Sequence, residues 1–268
     1  MRPVVLTIAG SDSSGGAGIQ ADLKSIEAHG GWAATVITAV TAQGARGVRH
    51  IHALPTESVA EQLDAVFDGL AVAGVKTGML VGAPIVELVA RVLRARSAPI
   101  VVCDPVLRST SGAELLDADG RRALIRDLLP LATLITPNAG EAALLAGIPV
   151  DDLAGAERAG RALLDAGARA VLVKGGHLRP SDRAVDLLVE ASGVTLLRGD
   201  VVDGGEVHGT GCALASAIAT LLARGRGLVE AVTLAKQHVA EAMRRGFLQG
   251  APLAVDPLFA RHGRGGSG

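Results

Sequence analysis

Residues 4–42 read VVLTIAGSDSSGGAGIQADLKSIEAHGGWAATVITAVTA, and their pattern decides the architecture. An apolar, β-branched run from Val4 to Ala9 meets a glycine- and serine-rich loop, a helical pattern covers Ala17 to His29, and a second apolar run spans Ala34 to Ala42. Near-continuous apolar strands separated by amphipathic helices predict a parallel sheet buried on both faces.

The alternation continues outward from this unit. Strands are expected at Gly74 to Thr77, Ile100 to Cys103, Thr133 to Thr136 and Ala170 to Lys174. Helices are expected at Glu57 to Asp68, Pro84 to Arg96, Asp119 to Leu129, Leu153 to Ala166, Cys212 to Ala223 and Leu228 to Gln249. Pro84 falls where a first helical turn tolerates proline. The segment Ala184 to Gly199 reads instead as two short strands closed by a tight turn. The expected fold class is therefore α/β: a central, mostly parallel sheet flanked by helices on both faces, with an antiparallel edge hairpin. No linker, repeat or charge block divides the chain, so residues 1–262 are read as one domain and 263–268 (GRGGSG) as a disordered tail.

Composition narrows the partners. The 268 residues carry 26 Lys plus Arg against 27 Asp plus Glu, a net charge of −1, which gives nucleic acid or an anionic membrane nothing to bind. Aromatics make up only 1%, too few for the stacking platforms of single-strand binding. Cys103 and Cys212 are too few for a disulfide framework and lack metal spacing. No apolar run reaches a membrane span and the N-terminus is not a signal peptide, so a cytoplasmic protein with a small-molecule ligand is expected.

Glycine gathers in three loops: Gly10 to Gly18, Lys174 to His177, and Asp203 to Cys212. Glycines where a loop enters a helix let backbone N–H groups approach an anion, which suits a phosphorylated ligand. Gly10 to Gly16 has the spacing of a Walker A loop but places Gly16 at the lysine position, so it is not one. Gly16-Ala17-Gly18-Ile19-Gln20-Ala21 fits a loose dinucleotide pattern, but the loop is too long and no ribose-binding acid follows. In HGTGC, 208–212, successive amides at a helix start can form an anion hole, and the dipole would favour a thiolate at Cys212. A plain tight turn with a buried cysteine is the alternative. Cys103, inside VVCDP, reads as a core residue.

Taken together, the motifs resemble the hydroxymethylpyrimidine/phosphomethylpyrimidine kinase family of the ribokinase-like superfamily. The stretches are AGSDSSGGAGIQADLK (9–24), TAVTAQ (38–43), KTGML (76–80), DPV (104–106), TPN followed by Glu141, LVKGGH (172–177) and HGTGCALASAIA from His208, in family order across nearly the whole chain. The resemblance implies a ribokinase-like domain, usually a homodimer. It also implies ATP- and Mg²⁺-dependent phosphorylation of 4-amino-5-hydroxymethyl-2-methylpyrimidine and then of its monophosphate in thiamine biosynthesis.

It further implies residue roles. Cys212 would accept the substrate hydroxyl's proton, with its pKa lowered by the helix N-terminus, while Gly209, Thr210 and Gly211 hold the transferring phosphate. Gln43, whose amide both donates and accepts, would bind the aminopyrimidine. Gly10 and Asp22 are carried over to the substrate pocket, with Met79 and Val106 as apolar walls. Asp104 and Glu141 would organise Mg²⁺, partly through water. Lys174, Asn138 and Thr210 would meet the nucleotide phosphates, and the loop from His177 to Arg183 would cover them.

Several positions depart from the family pattern. Gly44 follows TAQ, Leu107-Arg108 follows DPV, Glu206-Val207 precedes HGTGC, and the C-terminal end is unusual. Gly44 and Leu107 flank the substrate pocket, so pyridoxal phosphorylation is the rival activity. A non-catalytic ligand-binding homologue ranks below it.

Overall fold

The computed structural model describes residues 1–44, 47–109, 112–177, 184–200, 202 and 207–245, with the side chain of His177 excepted. The expected tail at 263–268, the last residues of the final expected helix and the covering loop at 178–183 lie outside these.

Nine strands form one sheet in the order β3-β2-β1-β4-β5-β6-β7-β8-β9. They are β1 (Val4–Asp12), β2 (Trp32–Gly44), β3 (Gly47–Ala53), β4 (Val72–Thr77), β5 (Val101–Cys103), β6 (Leu134–Ile135), β7 (Ala170–Val173), β8 (Val185–Glu190) and β9 (Gly193–Arg198). The six from β2 to β7 run parallel, and β3, β8 and β9 pair antiparallel. The hairpin expected at 184–199 is β8–β9, whose register closes on Glu190 opposite Gly193.

Successive side chains of each inner strand enter opposite layers, the period-2 consequence of the pleat. Leu6, Val75, Val101 and Cys103 face one core with α2 (Thr56–Gly69), α3 (Ala83–Ala95), α4 (Ala118–Ala123), α5 (Ala139–Ala146) and α6 (Leu153–Asp165). Val5, Val102, Leu134 and Leu172 face the other, with α7 (Thr210–Ala223) and α8 (Leu228–Arg244); α1 (Gly18–Ala28) lends Ile26. With so few aromatics, density comes from Leu, Val and Ala; each fully buried Leu or Val contributes about 1.5–3 kcal/mol.

Three elements differ from the sequence reading. The helix expected from Asp119 to Leu129 ends early: α4 passes into a π-turn at Leu124–Leu128 and a 3₁₀ turn at Leu129–Leu131, where Pro130 removes an amide donor. Strand β3, GVRHIHA, is mostly exposed and lacks the apolar run of an inner strand. Helix α5 has only eight residues, too short for a clear period.

Candidate active site

Open parallel sheets bind ligands beyond the carboxyl ends of their strands, and the cleft here, about 1130 Å³, lies there. Its lining includes Gly10 and Asp12 from β1, Gln43 from β2, Asp104 after β5, Lys174 after β7, and the Gly209–Cys212 turn.

That turn opens α7. Gly209 is the residue before the helix, at φ +87°, and a Cβ there would stand 1.8 Å from the Gly16 carbonyl oxygen. Only glycine fits both the left-handed backbone and the close packing of the two loops. No side chain caps the helix, so its first N–H groups stay available to an anion. A Cβ at Gly211 would lie 3.3 Å from Lys174 Nζ and 3.6 Å from Asp104 Oδ2, which places this pair directly beside the turn.

Lys174 Nζ donates to Asp104 Oδ1 at 3.1 Å, and Thr136 Oγ1 donates to the same oxygen at 3.1 Å. Burial works against the Lys174 charge, but Asp104 and Glu141 outweigh it and raise its pKa. Glu141 and Asn138 form a capping box on α5: Glu141 N–H donates to Asn138 Oδ1 (2.9 Å) and Asn138 N–H to Glu141 Oε2 (2.8 Å). Burial pushes the Glu141 carboxyl up to about 7; Lys174 pulls it down and Asp104 adds to the rise.

Asp104 and Glu141 border the same cleft as carboxylate oxygen donors, the ligand type that a hard divalent cation takes. Mg²⁺ keeps several waters and shares phosphate oxygens, so one or two protein carboxylates suffice to hold it. Asp104 and Glu141 thus fit the cation that the resemblance implies.

Toward β1 and β2 the cleft becomes apolar. Met79, Ala39 and Leu115 are buried together with Val106, Val81 and Ile51 against them. Val81 sits at φ +66°, rare for a β-branched residue, with Gly82 N–H donating to Leu80 O at 2.8 Å across it. This tight γ-turn directly follows the KTGM segment, whose Met79 lies in the wall. A Cβ at Gly10 would come within 2.6 Å of Met79 Cε, so the glycine leaves room for the thioether.

Gln43 is half-buried at the edge of this wall, where its backbone N–H donates to Ser13 Oγ (2.8 Å). Its amide lies 3.0 Å from His208 Nε2 at one end and 3.2 Å from Thr41 Oγ1 at the other. His208 Nε2 is also 3.0 Å from Asp12 Oδ2. Burial opposes the Asp12 charge, but hydrogen bonds from His208, from Ser14 N–H and Oγ, and from Ala17 N–H bring its pKa to about 2.

Two sequence expectations are corrected here. Asp22 does not line the cleft: it is fully buried, accepting from Lys76 Nζ (2.8 Å), Thr7 Oγ1 (2.6 Å) and Ser216 Oγ (2.7 Å). It neutralises a fully buried lysine whose pKa lies above the ordinary value: burial lowers it, and the Asp22 charge more than compensates. Nor is Cys212 a preformed thiolate. Although it lines the cleft, its surroundings push the thiol up to about 11; burial dominates, and the Lys76 charge and the Gly18 N–H offset it only in part. Cys103 is fully buried, at about 12, as a core residue should be.

The remaining expected site residues, Gly10, Gln43, Met79, Asp104, Val106, Asn138, Glu141, Lys174, Gly209, Thr210, Gly211 and Cys212, all border the one cleft. Asn138 does so with its side-chain oxygen already engaged in capping. The sequence reading passed over Lys76, Asp12 and His208, although all three stand inside the quoted motifs. Among the described residues no Trp or Phe lines the cleft.

A mostly parallel α/β sheet, a glycine turn with uncapped N–H groups at the start of a small-residue helix, and an acid–lysine pair beside it are the features of a ribokinase-like small-molecule kinase. The phosphomethylpyrimidine kinase family model matches residues 12–254, and the chain belongs to that family. It is 49% identical over 245 residues to the hydroxymethylpyrimidine/phosphomethylpyrimidine kinase of Streptomyces coelicolor, covering 91% of this chain and 90% of that protein. It is 45% identical over 266 residues to the enzyme of the same name from Rhizobium meliloti, covering 99% and 96%. Among solved structures, phosphomethylpyrimidine kinase from Clostridium difficile superposes with a TM-score of 0.81 at 40% identity, covering 90% of this chain and 99% of that one. The ADP complex of Bacillus subtilis pyridoxal kinase reaches 0.91 at 32% identity, covering 97% and 99%.

Proposed function

We propose that this protein uses ATP to phosphorylate the hydroxymethyl group of 4-amino-5-hydroxymethyl-2-methylpyrimidine, and then the monophosphate to the diphosphate, as a step of thiamine biosynthesis. The observation that carries the reading is that one cleft gathers these groups: Gln43 and the Met79–Val106 wall, the Gly209–Cys212 turn, and Asp104, Lys174 and Glu141. His208, just before the turn, meets Gln43, and Gly211 within it borders the Lys174–Asp104 pair.

Phosphoryl transfer needs positioning and charge stabilisation more than covalent chemistry. The amides of Gly209, Thr210 and Gly211 receive the transferring phosphoryl group, and Lys174, with Thr210 and Asn138 beside it, meets the nucleotide phosphates. Mg²⁺, held by Asp104 and Glu141, would spread phosphate charge when bound. Cys212 orients the acceptor hydroxyl chiefly as a neutral thiol, and a loose transition state asks little of it as a base. Gln43 binds the ring edge through its amide, and Gly10, Met79 and Val106 shape the ring's slot without aromatic stacking.

The family resemblance also carries a homodimer into this reading, and the cytoplasmic location expected from the sequence is proposed alongside it. No helix among the described residues is long and apolar enough to cross a membrane. The single sheet, from Val4 to Arg198, favours reading the chain as one kinase domain.

The test is ATP consumption with the pyrimidine alcohol, its monophosphate and pyridoxal, each alone. Turnover of both pyrimidines with pyridoxal far behind is expected. Failure on both pyrimidines would sink the proposal. The likeness to pyridoxal kinases favours a second reading, pyridoxal phosphorylation, and a clear preference for that substrate would establish it.

A further inference from the structure

The Gln43 amide has two unlike ends, and they are told apart only by what surrounds them. The structure draws the amide with Oε1 toward Thr41 Oγ1 and Nε2 toward His208 Nε2, an assignment that the hydrogen-bonding neighbours must decide. The protons around each end can be accounted for from the neighbours.

Asp12 is 3% exposed and accepts from Ser14 N–H (2.8 Å), Ser14 Oγ (2.8 Å) and Ala17 N–H (2.8 Å), so it stands as an anion. A carboxylate 3.0 Å from His208 Nε2 requires a proton on that nitrogen, because a lone pair there would face negative charge. The Nε2–H group then lies between Asp12 Oδ2 and the Gln43 amide. An NH₂ end of Gln43 in that place would set donor against donor, whereas an oxygen would share the proton.

Thr41 makes the same demand from the other side. Its hydroxyl has one hydrogen and lies 3.0 Å from the carbonyl oxygen of Ser11, nearer than to Gln43. With that hydrogen given to Ser11, the hydroxyl offers Gln43 only lone pairs, which an NH₂ end satisfies. Both neighbours therefore select the amide turned end for end from the way it is drawn: the oxygen toward His208 and the NH₂ toward Thr41.

We propose that Asp12 and His208 are specificity-determining positioning residues, which lock the Gln43 amide end for end and so set which ring edge the site accepts. One N–H and one oxygen lone pair of the locked amide remain for a ligand. Side by side they match a ring nitrogen next to an exocyclic amine, one accepting and one donating. A ring that carries a phenolate oxygen in place of the amine sets an acceptor against the amide oxygen, and a polar mismatch of that kind is rejected strongly. This inference rests on the reading of Gln43 as the ring-binding residue, and it explains why a histidine precedes the GTGC turn.

The test uses the full chain with His208→Leu, His208→Gln, Gln43→Ala and the double variant Gln43→Ala/His208→Leu. Glutamine keeps an N–H donor close to the position of Nε2. For His208→Leu we expect KM for the pyrimidine alcohol to rise about 10- to 100-fold, with kcat changed less than about threefold and the preference over pyridoxal reduced. His208→Gln should restore most of the loss. In the Gln43→Ala background, adding His208→Leu should cost less than about twofold more, because the two residues act through one amide. Additive losses, a loss confined to kcat, or no rescue by glutamine would overturn the proposal. If Gln43→Ala leaves the pyrimidine KM unchanged, the ring-binding reading itself has failed. If Gln43→Ala raises KM and His208→Leu does not, only the positioning relay has failed. Should the leucine variant not fold, a long-range ¹H–¹⁵N spectrum of the unsubstituted protein decides: a protonated His208 Nε2 is expected, and a bare Nε2 would overturn the relay.

Discussion

Replacing Lys76 by methionine strips the partner from a carboxylate that water does not reach. Lys76 and Asp22 are each fully buried, 2.8 Å apart, and Asp22 takes two further bonds from Thr7 and Ser216. Breaking a buried pair from one side leaves an uncompensated charge and costs about 3–5 kcal/mol. In a domain of this size, 1 kcal/mol shifts Tm by about 2–4 °C, so Lys76→Met should melt roughly 6–20 °C lower. Asp22→Asn should lose a comparable amount, because the ammonium is then unpaired. Lys76→Met/Asp22→Leu should recover most of it; what remains is about 1 kcal/mol for each of the Thr7 and Ser216 hydroxyls left without an acceptor. Differential scanning calorimetry on the three variants, with KM for the pyrimidine alcohol measured alongside, checks this. If Asp22→Asn melts with the unsubstituted protein while KM rises, the pair is not structural and Asp22 is a substrate ligand after all.

Three further outcomes follow from the site. Asp12 has a folded pKa near 2, below the ordinary aspartate value of about 3.9, so its contribution of about 2 kcal/mol is fully present above about pH 5 and is lost as pH falls toward 2; acid titration of stability should lose this component in Asp12→Asn. Gly209→Ala would drive a Cβ into the Gly16 carbonyl from a left-handed backbone, displacing the anion-binding turn, and kcat should fall about 100-fold or more in steady-state assays. Cys212, with a thiol near 11, should react slowly with iodoacetamide at pH 8 and faster toward pH 11 while Cys103 stays inert; Cys212→Ala should reduce kcat only about 10- to 100-fold. Fast labelling of Cys212 at neutral pH would show that the thiolate is stabilised after all.

The sheet was legible where local pattern matched burial. The inner strands β1, β4, β5 and β7 read as apolar runs because both of their faces are covered. Strand β3 escaped because an exposed edge strand can be polar, and the helix after Asp119 was overestimated because Pro130 and the π-turn interrupt a continuous apolar period. The GTGC turn, the acid after β5 and the lysine after β7 were legible because loop chemistry at strand ends is local.

The sequence by itself determined the alternation of strand and helix, the glycine loops and the residue types gathered at the strand ends, since each of these lies in neighbouring residues. Tertiary structure alone decided which groups meet and which are buried. Asp12 and His208 are 196 positions apart, and Asp22 and Ser216 are 194 apart. Whether Asp22 faces ligand or lysine, whether Cys212 is thiol or thiolate, and which way Gln43 turns all depend on charge and solvent exclusion summed over several strands and helices. No local stretch of chain holds that sum.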